Sequence, residues 1–133
     1  MKPEEINAAI ALELGWKRCR NDGEGNYSID ESGPHWMTPS GGAHCSNRIP
    51  SYCEDLNACA EFEQKLKRET GMLSVRCEIR TYWLKLMEIM NPGVKLWDNG
   101  TFLGSWNHAI KVSEATAAQK CKAYLRLKGK WRE

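Results

Sequence analysis

Apolar residues recur along this chain with two different periods, and those periods divide it into helices and short strands. Ile6, Ala9, Ile10 and Leu14 fall at helical spacing on one face. Pro3 suits a first helical turn, where its missing N–H costs nothing, and Glu4 and Glu5 complement the positive end of the helix dipole. Gly15 supplies the stop. Residues 16–20 read as a short strand and residues 21–26, with Gly23 and Gly25 among polar neighbours, as a turn. Residues 27–49 are rich in Gly, Ser, Pro and Asn. Two extended pieces are predicted there, around residues 35–38 and 43–46, on either side of Pro39-Ser40-Gly41-Gly42.

A second helix is marked by Ser51 and Glu54, spaced as a capping box in which hydroxyl and carboxylate each satisfy the other residue's backbone N–H. Leu56, Cys59, Ala60 and Leu66 line one face with Phe62 flanking it, and Thr70-Gly71 ends the segment. Residues 72–80 satisfy both periods: Leu73, Val75, Cys77 and Ile79 alternate as in a strand. Val75, Ile79, Tyr82, Trp83, Leu86 and Met90 fit a helix over a longer span, and length decides for the helix. Asn91-Pro92-Gly93 stops it.

Residues 94–112 then read as a hairpin about Asn99-Gly100, a pair suited to a turn that needs φ > 0 at both central positions. Its flanks, residues 94–97 and 101–112, carry Trp97, Phe102, Trp106 and Ile110, with Gly104 expected at a bulge. The last helix opens on a Thr116/Gln119 capping box and places Ala117, Cys121, Tyr124, Leu125 and Lys128 on one face. Lys122 and Arg126 lie opposite, Gly129 is the stop, and Trp131 is placed to fold back. This order predicts an α+β fold, a small antiparallel sheet covered by helices in an α/β/α sandwich, as a single domain over residues 1–133.

Composition sharpens the picture of the core. With only 11 Leu, 7 Ile, 3 Val and 2 Phe among 133 residues, aliphatic side chains are scarce, and 6 Trp, 5 Met and 6 Cys must supply apolar volume. A net charge of only +2 argues against disorder. No run approaches the roughly 18 apolar residues of a membrane span. The polar N-terminus does not read as a secretory signal. A cytoplasmic protein is therefore expected, its cysteines reduced and buried as small hydrophobes rather than tied in a disulfide framework.

Several of these segments resemble a known group. Residues 5–10 followed by Leu14-Gly15-Trp16, His35-Trp36 followed by Pro39 and Gly41, Pro50-Ser51-Tyr52 leading into Asp55-Leu56-Asn57-Ala58, and the stretch from Ala115 through Ala123-Tyr124-Leu125-Arg126 to Gly129-Lys130-Trp131 are similar to the phage ABA-sandwich domain family. The four motifs run in order from residue 5 to residue 131. The resemblance implies an alpha-beta-alpha sandwich and a phage origin, hence the host bacterial cytoplasm, and no established chemistry. The chain departs from the family at Cys59 and Glu61, where a His and an acidic residue are frequent, and in longer segments at residues 21–26 and 94–112.

Candidate chemistry is sparse. His44, Cys45, Cys53 and Cys59 are zinc-binding residue types within a short span, but adjacent His44 and Cys45 are poorly placed to chelate one ion and no CxxC pair exists. Glu54 and Asp55 are explained by a helix start rather than by paired-carboxylate catalysis. Gly23-Glu24-Gly25 and Gly41-Gly42 lack the Lys and the helix of a phosphate loop. No catalytic residue, cofactor or metal is expected.

Binding remains. The last 23 residues carry seven basic and two acidic side chains, so Lys120, Lys122, Arg126, Lys128, Lys130 and Arg132 with Trp131 form a candidate nucleic-acid surface. The tryptophan excess points instead to protein contact, with Trp97 and Trp106 as exposed anchors. The expectation is a non-enzymatic phage accessory protein that binds a host protein, an inhibitor of a CRISPR effector or of nucleotide-signalling immunity. Nucleic-acid binding through the C-terminal helix and sequestration of a nucleotide ligand in a cleft are the alternatives.

Overall fold

A computed structural model describes residues 1–40, 48–69 and 78–133, and the backbone of residues 45–46. The Gly41-Gly42 pair, the first part of the strand expected at 43–46, the Thr70-Gly71 helix end and the strand-or-helix question over residues 72–77 lie outside the described residues. The fold is α+β, with five α-helices and small antiparallel sheets among the described residues. Contacts divide the chain into two compact units, residues 2–51 and residues 52–133 together with Met1.

The first unit is one helix and one sheet. Helix α1, Pro3–Glu13, buries Ile6, Ile10 and Ala11, and the Glu5 carboxylate accepts the Lys2 backbone N–H at 2.8 Å. Gly15 leaves the helix at φ 94°, a conformation that side chains resist. Strands β1 (Lys17–Asn21), β2 (Tyr27–Ile29), β3 (His35–Met37) and β4 (Cys45–Ser46) pair antiparallel in the order β2-β1-β3-β4. Strand β2 is absent from the sequence reading because all three of its residues are exposed, so no buried alternation announces it. The turn before it is held by Asn21 and Asp22, whose Oδ1 atoms accept the N–H groups of Gly23 at 3.0 Å and Glu24 at 2.8 Å. Gly33 is buried against β1, and a Cβ there would collide with the Cys19 carbonyl. Cys19 is itself buried and disulfide-bonded, which corrects the expectation that every cysteine remains a thiol.

The second unit packs helices on one another. Helix α2 runs Leu56–Glu69, α3 Glu78–Met90, α4 Trp106–Ile110 and α5 Ala117–Leu127, with a 3-10 turn at Lys111–Glu114. The Ser51/Glu54 capping box does not start α2. Asp55 does, its Oδ1 accepting the Asn57 N–H at 2.8 Å, so the helix begins later than the sequence suggests. That shift also turns Leu56 out to solvent and leaves Ala60 half-buried, while Ala58, Cys59, Phe62 and Leu66 face inward. Phe62 is the centre of this core. Its ring stacks on Tyr124 at 4.5 Å between centroids and meets Tyr82 edge-on at 6.0 Å.

Thiols fill the space beside the rings. Cys59 and Cys121 both point at the Tyr52 carbonyl, at 3.2 and 3.1 Å, and Cys53 is buried with them. The neighbouring thiols of Cys53 and Cys59, together with burial, push the Cys121 thiol well above its usual range. Tyr82 donates to Glu63 at 2.7 Å, and burial and that carboxylate keep its phenol protonated. The core is thus aromatic and sulfur-rich as composition requires, but its rings are Tyr and Phe. Of the six tryptophans only Trp36 is buried, and an indole-filled interior is corrected accordingly.

Helix α5 follows its sequence signals closely. Thr116 Oγ1 accepts the Gln119 N–H at 3.3 Å, Gln119 Oε1 accepts the Thr116 N–H at 2.9 Å, and Gly129 sits at φ 68°. Lys130 N–H reaches the Leu125 carbonyl at 2.8 Å and Gly129 N–H that of Arg126 at 3.2 Å, the paired bonds of a Schellman ending.

Two predictions follow from this packing. Phe62→Ala leaves a ring-sized void between α2, α3 and α5, and urea denaturation is expected to show a loss of about 3–5 kcal/mol. On the sheet, the Arg20 guanidinium 2.8 Å from Asp30, with the Ser32 hydroxyl and N–H, lowers the Asp30 carboxyl from 3.8 to about 2. A depressed folded-state value makes the stabilisation complete above 3.8 and removes it as pH falls through about 2. An NMR titration of Asp30 should find that midpoint, and Arg20→Gln should move it back toward the ordinary range; a midpoint unmoved by the substitution would refute the assignment.

Candidate protein-docking surface

Residues 91–110 in the helical unit gather apolar side chains and leave them in solvent. Strands β5 (Trp97–Asp98) and β6 (Thr101–Phe102) form a hairpin in register Trp97↔Phe102. Asn99 and Gly100 take φ 48° and 81° at its turn, as the sequence predicts. The pairing is short, and the strand expected over residues 101–112 is corrected to β6 followed by α4. Phe102, Trp106 and Ile110 are spaced four apart, which is a helical repeat, and the hairpin signal at Asn99-Gly100 masked it. Gly104 marks no bulge in the structure. Its backbone lies against the Phe102 ring, and a Cβ there would overlap that ring.

Local bonds hold this segment in place. The Ser105 N–H donates to His108 Nδ1 at 2.9 Å, closing the start of α4, and Leu103 N–H donates to the Leu96 carbonyl at 2.8 Å. Asn91, buried at the end of α3, donates through Nδ2 to the carbonyls of Met87 at 2.8 Å and His108 at 3.3 Å. The end of α3 is thereby tied to α4. Leu96 and Val112 anchor the two ends of the segment in the interior.

What is left outside is unusual for a small fold. Trp106 is 83 % exposed, Ile110 58 %, Leu103 51 % and Phe102 40 %. Trp106 and Ile110, four residues apart on α4, share one helix face. Trp97 is half-buried, its ring 5.2 Å from that of Phe102. Of the two anchors proposed from sequence, Trp106 is the open one and Trp97 supports Phe102 from the side. Phe102, Leu103 and Ile110 were missed as surface residues because an alternating strand would have turned half of them inward. Single exposed apolar residues are ordinary, and four within nine residues, one of them an open indole, make this segment the candidate contact surface.

The basic C-terminal residues are arranged differently. Lys120 pairs with Glu63 at 2.9 Å, both side chains below 20 % exposed, and Arg126 pairs with Glu133 at 2.8 Å. Lys128 stays on the face on which the sequence placed it, its ammonium 5.9 Å from the Tyr124 ring and paired with Glu78 at 3.0 Å. Lys122 lies over the Trp131 ring at 5.1 Å, and Trp131 Nε1–H donates to Glu133 at 3.2 Å. Lys130 and Arg132 are exposed. Carboxylates from α2, α3 and the C-terminal residue therefore pair with three of these cations, so less of an open positive stripe remains to meet phosphates. The Arg126 guanidinium and the positive charge of Lys122 hold the Glu133 carboxyl below its usual value, so the pairing persists at neutral pH.

Glu54 is exposed beside the capping Asp55, and Cys53 and Cys59 are buried; His44 and the Cys45 side chain lie outside the described residues. Among the described residues no group of three or more His, Cys, Asp or Glu is placed to hold a metal ion, and no helix is long and apolar enough to cross a membrane. No protein-family model, curated protein or solved structure matches the chain.

Trp106→Ala is expected to remove the most acrylamide-accessible part of the tryptophan fluorescence and to shift the remaining emission to shorter wavelength. Because the indole makes little interior contact, unfolding free energy should change by no more than about 0.5 kcal/mol.

Proposed function

We propose that this protein acts by binding rather than by catalysis, docking a folded protein partner on the surface formed by Trp106, Ile110, Leu103 and Phe102. The observation that carries this reading is the 83 % exposure of Trp106 on a segment otherwise fixed by Asn91, Ser105 and His108. An indole has only two side-chain torsions to lose on association, and Trp is enriched among residues that dominate interface energy. A partner that offers an apolar pocket fits an exposed indole. The likeness of the sequence to the phage sandwich family supports taking the partner from the host bacterium. A component of host defence, a CRISPR effector or nucleotide-signalling immunity, is the sharpest form of the proposal.

The ion pairs along α5 favour this face over the nucleic-acid alternative. The test is affinity capture from bacterial lysate with three proteins of matched melting temperature: the parent, Trp106→Asp, and a Lys122→Glu/Lys130→Glu double variant. The proposal expects a partner retained by the parent and by the charge variant and weakened at least about 30-fold by Trp106→Asp, the cost of losing a typical hot spot. Retention unaffected by Trp106→Asp but abolished by the charge variant and by salt would overturn it in favour of nucleic acid.

A further inference from the structure

The sheet unit holds a cleft of about 580 Å3 between the end of α1 and the strands β1 and β2, lined by Leu12, Trp16, Lys17, Arg18, Ile29 and Glu31. The volume lies within the range of small-molecule sites. Every lining residue belongs to residues 2–51, so the cleft shares no side chain with the docking surface.

Backbone bonds fix the places from which these side chains leave. At the end of α1, Gly15 N–H donates to the Leu12 carbonyl at 3.2 Å and Trp16 N–H to the Ala11 carbonyl at 3.0 Å, the paired bonds that accompany a glycine at φ 94°. Ile29 is held on β2 by its register with Cys19. Asp30 N–H continues that pairing to the Arg18 carbonyl at 3.0 Å, and Gly33 N–H donates to the Asp30 carbonyl at 2.9 Å, closing the turn that carries Glu31. The site is therefore built before any ligand arrives.

Its lining is apolar with two open charges. Leu12 and Ile29 are each more than half exposed, and Trp16 is half-buried. Arg18 is already committed, its guanidinium carbon 4.5 Å from the centroid of the Trp36 ring and one nitrogen donating to the Gly33 carbonyl at 3.3 Å. It serves as a wall. Lys17 and Glu31 are exposed, and among the described residues neither belongs to an ion pair, with the other or with any third residue. An ammonium and a carboxylate thus border one apolar cleft without neutralising each other. A simple anion would meet repulsion at Glu31, and a simple cation at Lys17 and Arg18. A zwitterion with an apolar body meets neither. Inside a peptide an amide replaces one or both of those charges, so the free amino acid is the better match. We propose that this cleft binds a free α-amino acid with an apolar side chain, its carboxylate on Lys17, its ammonium on Glu31 and its side chain against Leu12, Trp16 and Ile29. Exposed ion pairs contribute little, so apolar burial supplies most of the affinity and the two charges select.

The test follows the Trp16 indole N–H by heteronuclear NMR during titration of the full chain. The probes are phenylalanine and leucine, with 3-phenylpropionate lacking the ammonium, phenethylamine lacking the carboxylate, and glycine lacking the side chain. Saturable shifts are expected with phenylalanine, leucine or both. The two single-charge analogues should bind at least about threefold more weakly than phenylalanine, and glycine should give no shift where phenylalanine saturates. Lys17→Gln and Glu31→Gln, each removing a charge that no ion pair uses, should keep the parent melting temperature and weaken amino-acid binding by at least about threefold. Glu31→Gln should not weaken 3-phenylpropionate, and Lys17→Gln should not weaken phenethylamine. The proposal is overturned if neither amino acid gives a saturable shift, if either single-charge analogue or glycine binds as tightly as phenylalanine, or if the charge variants bind phenylalanine and leucine as the parent does.

Discussion

Phe62 lies nearly flat on Tyr124 and edge-on to Tyr82, and this three-ring contact decides how α2, α3 and α5 pack. In a chain so poor in aliphatic residues, one ring must do the work that several leucines share elsewhere. Leu66, Leu86 and Leu125 complete the interior, and Cys59 and Cys121 fit beside the rings where a larger side chain would not. The polar ends of the tyrosines are met at the margin, where Glu63 accepts from Tyr82 and is in turn paired with Lys120. Core and surface charge are therefore coupled through a single carboxylate.

That economy bears on the tryptophans. Tyrosine and phenylalanine fill the helical core, and five of the six indoles remain at least partly in solvent. Trp131 is covered by Lys122, and Trp97 by Phe102. Trp106 has no such cover from its own segment, because α4 is only five residues long and its face turns away from Leu96 and Val112. The same reasoning applies to charge: four of the seven basic side chains from Lys111 onward are part of ion pairs or ring contacts, so the local excess of positive charge overstates what is open to solvent.

Much of this was legible in the sequence, and the failures have physical causes. Helices α1 and α5 were read nearly to the residue, since Pro3, Gly15, Thr116, Gln119 and Gly129 act through bonds within a turn or two of themselves. Strand β2 and the start of α2 were not. The first has no buried side to betray it, and at the second Asp55 outcompeted Ser51 for the same role. The exposure of Trp106, though not the partial burial of Trp97, agrees with what the tryptophan excess led one to expect. Its neighbours were hidden because a strong turn signal at Asn99-Gly100 imposed the wrong period on what followed. The Arg18 and Trp36 pair left no trace in the sequence, because strand register brings together residues eighteen positions apart that have no spacing rule.

Gly104 links two of these observations. The Phe102 ring rests on its bare backbone, one residue before the cap of α4. A Cβ at that position would overlap the ring, which would then have to swing away from the chain. The close seating of Phe102 ahead of α4 thus depends on a residue that contributes no side chain of its own.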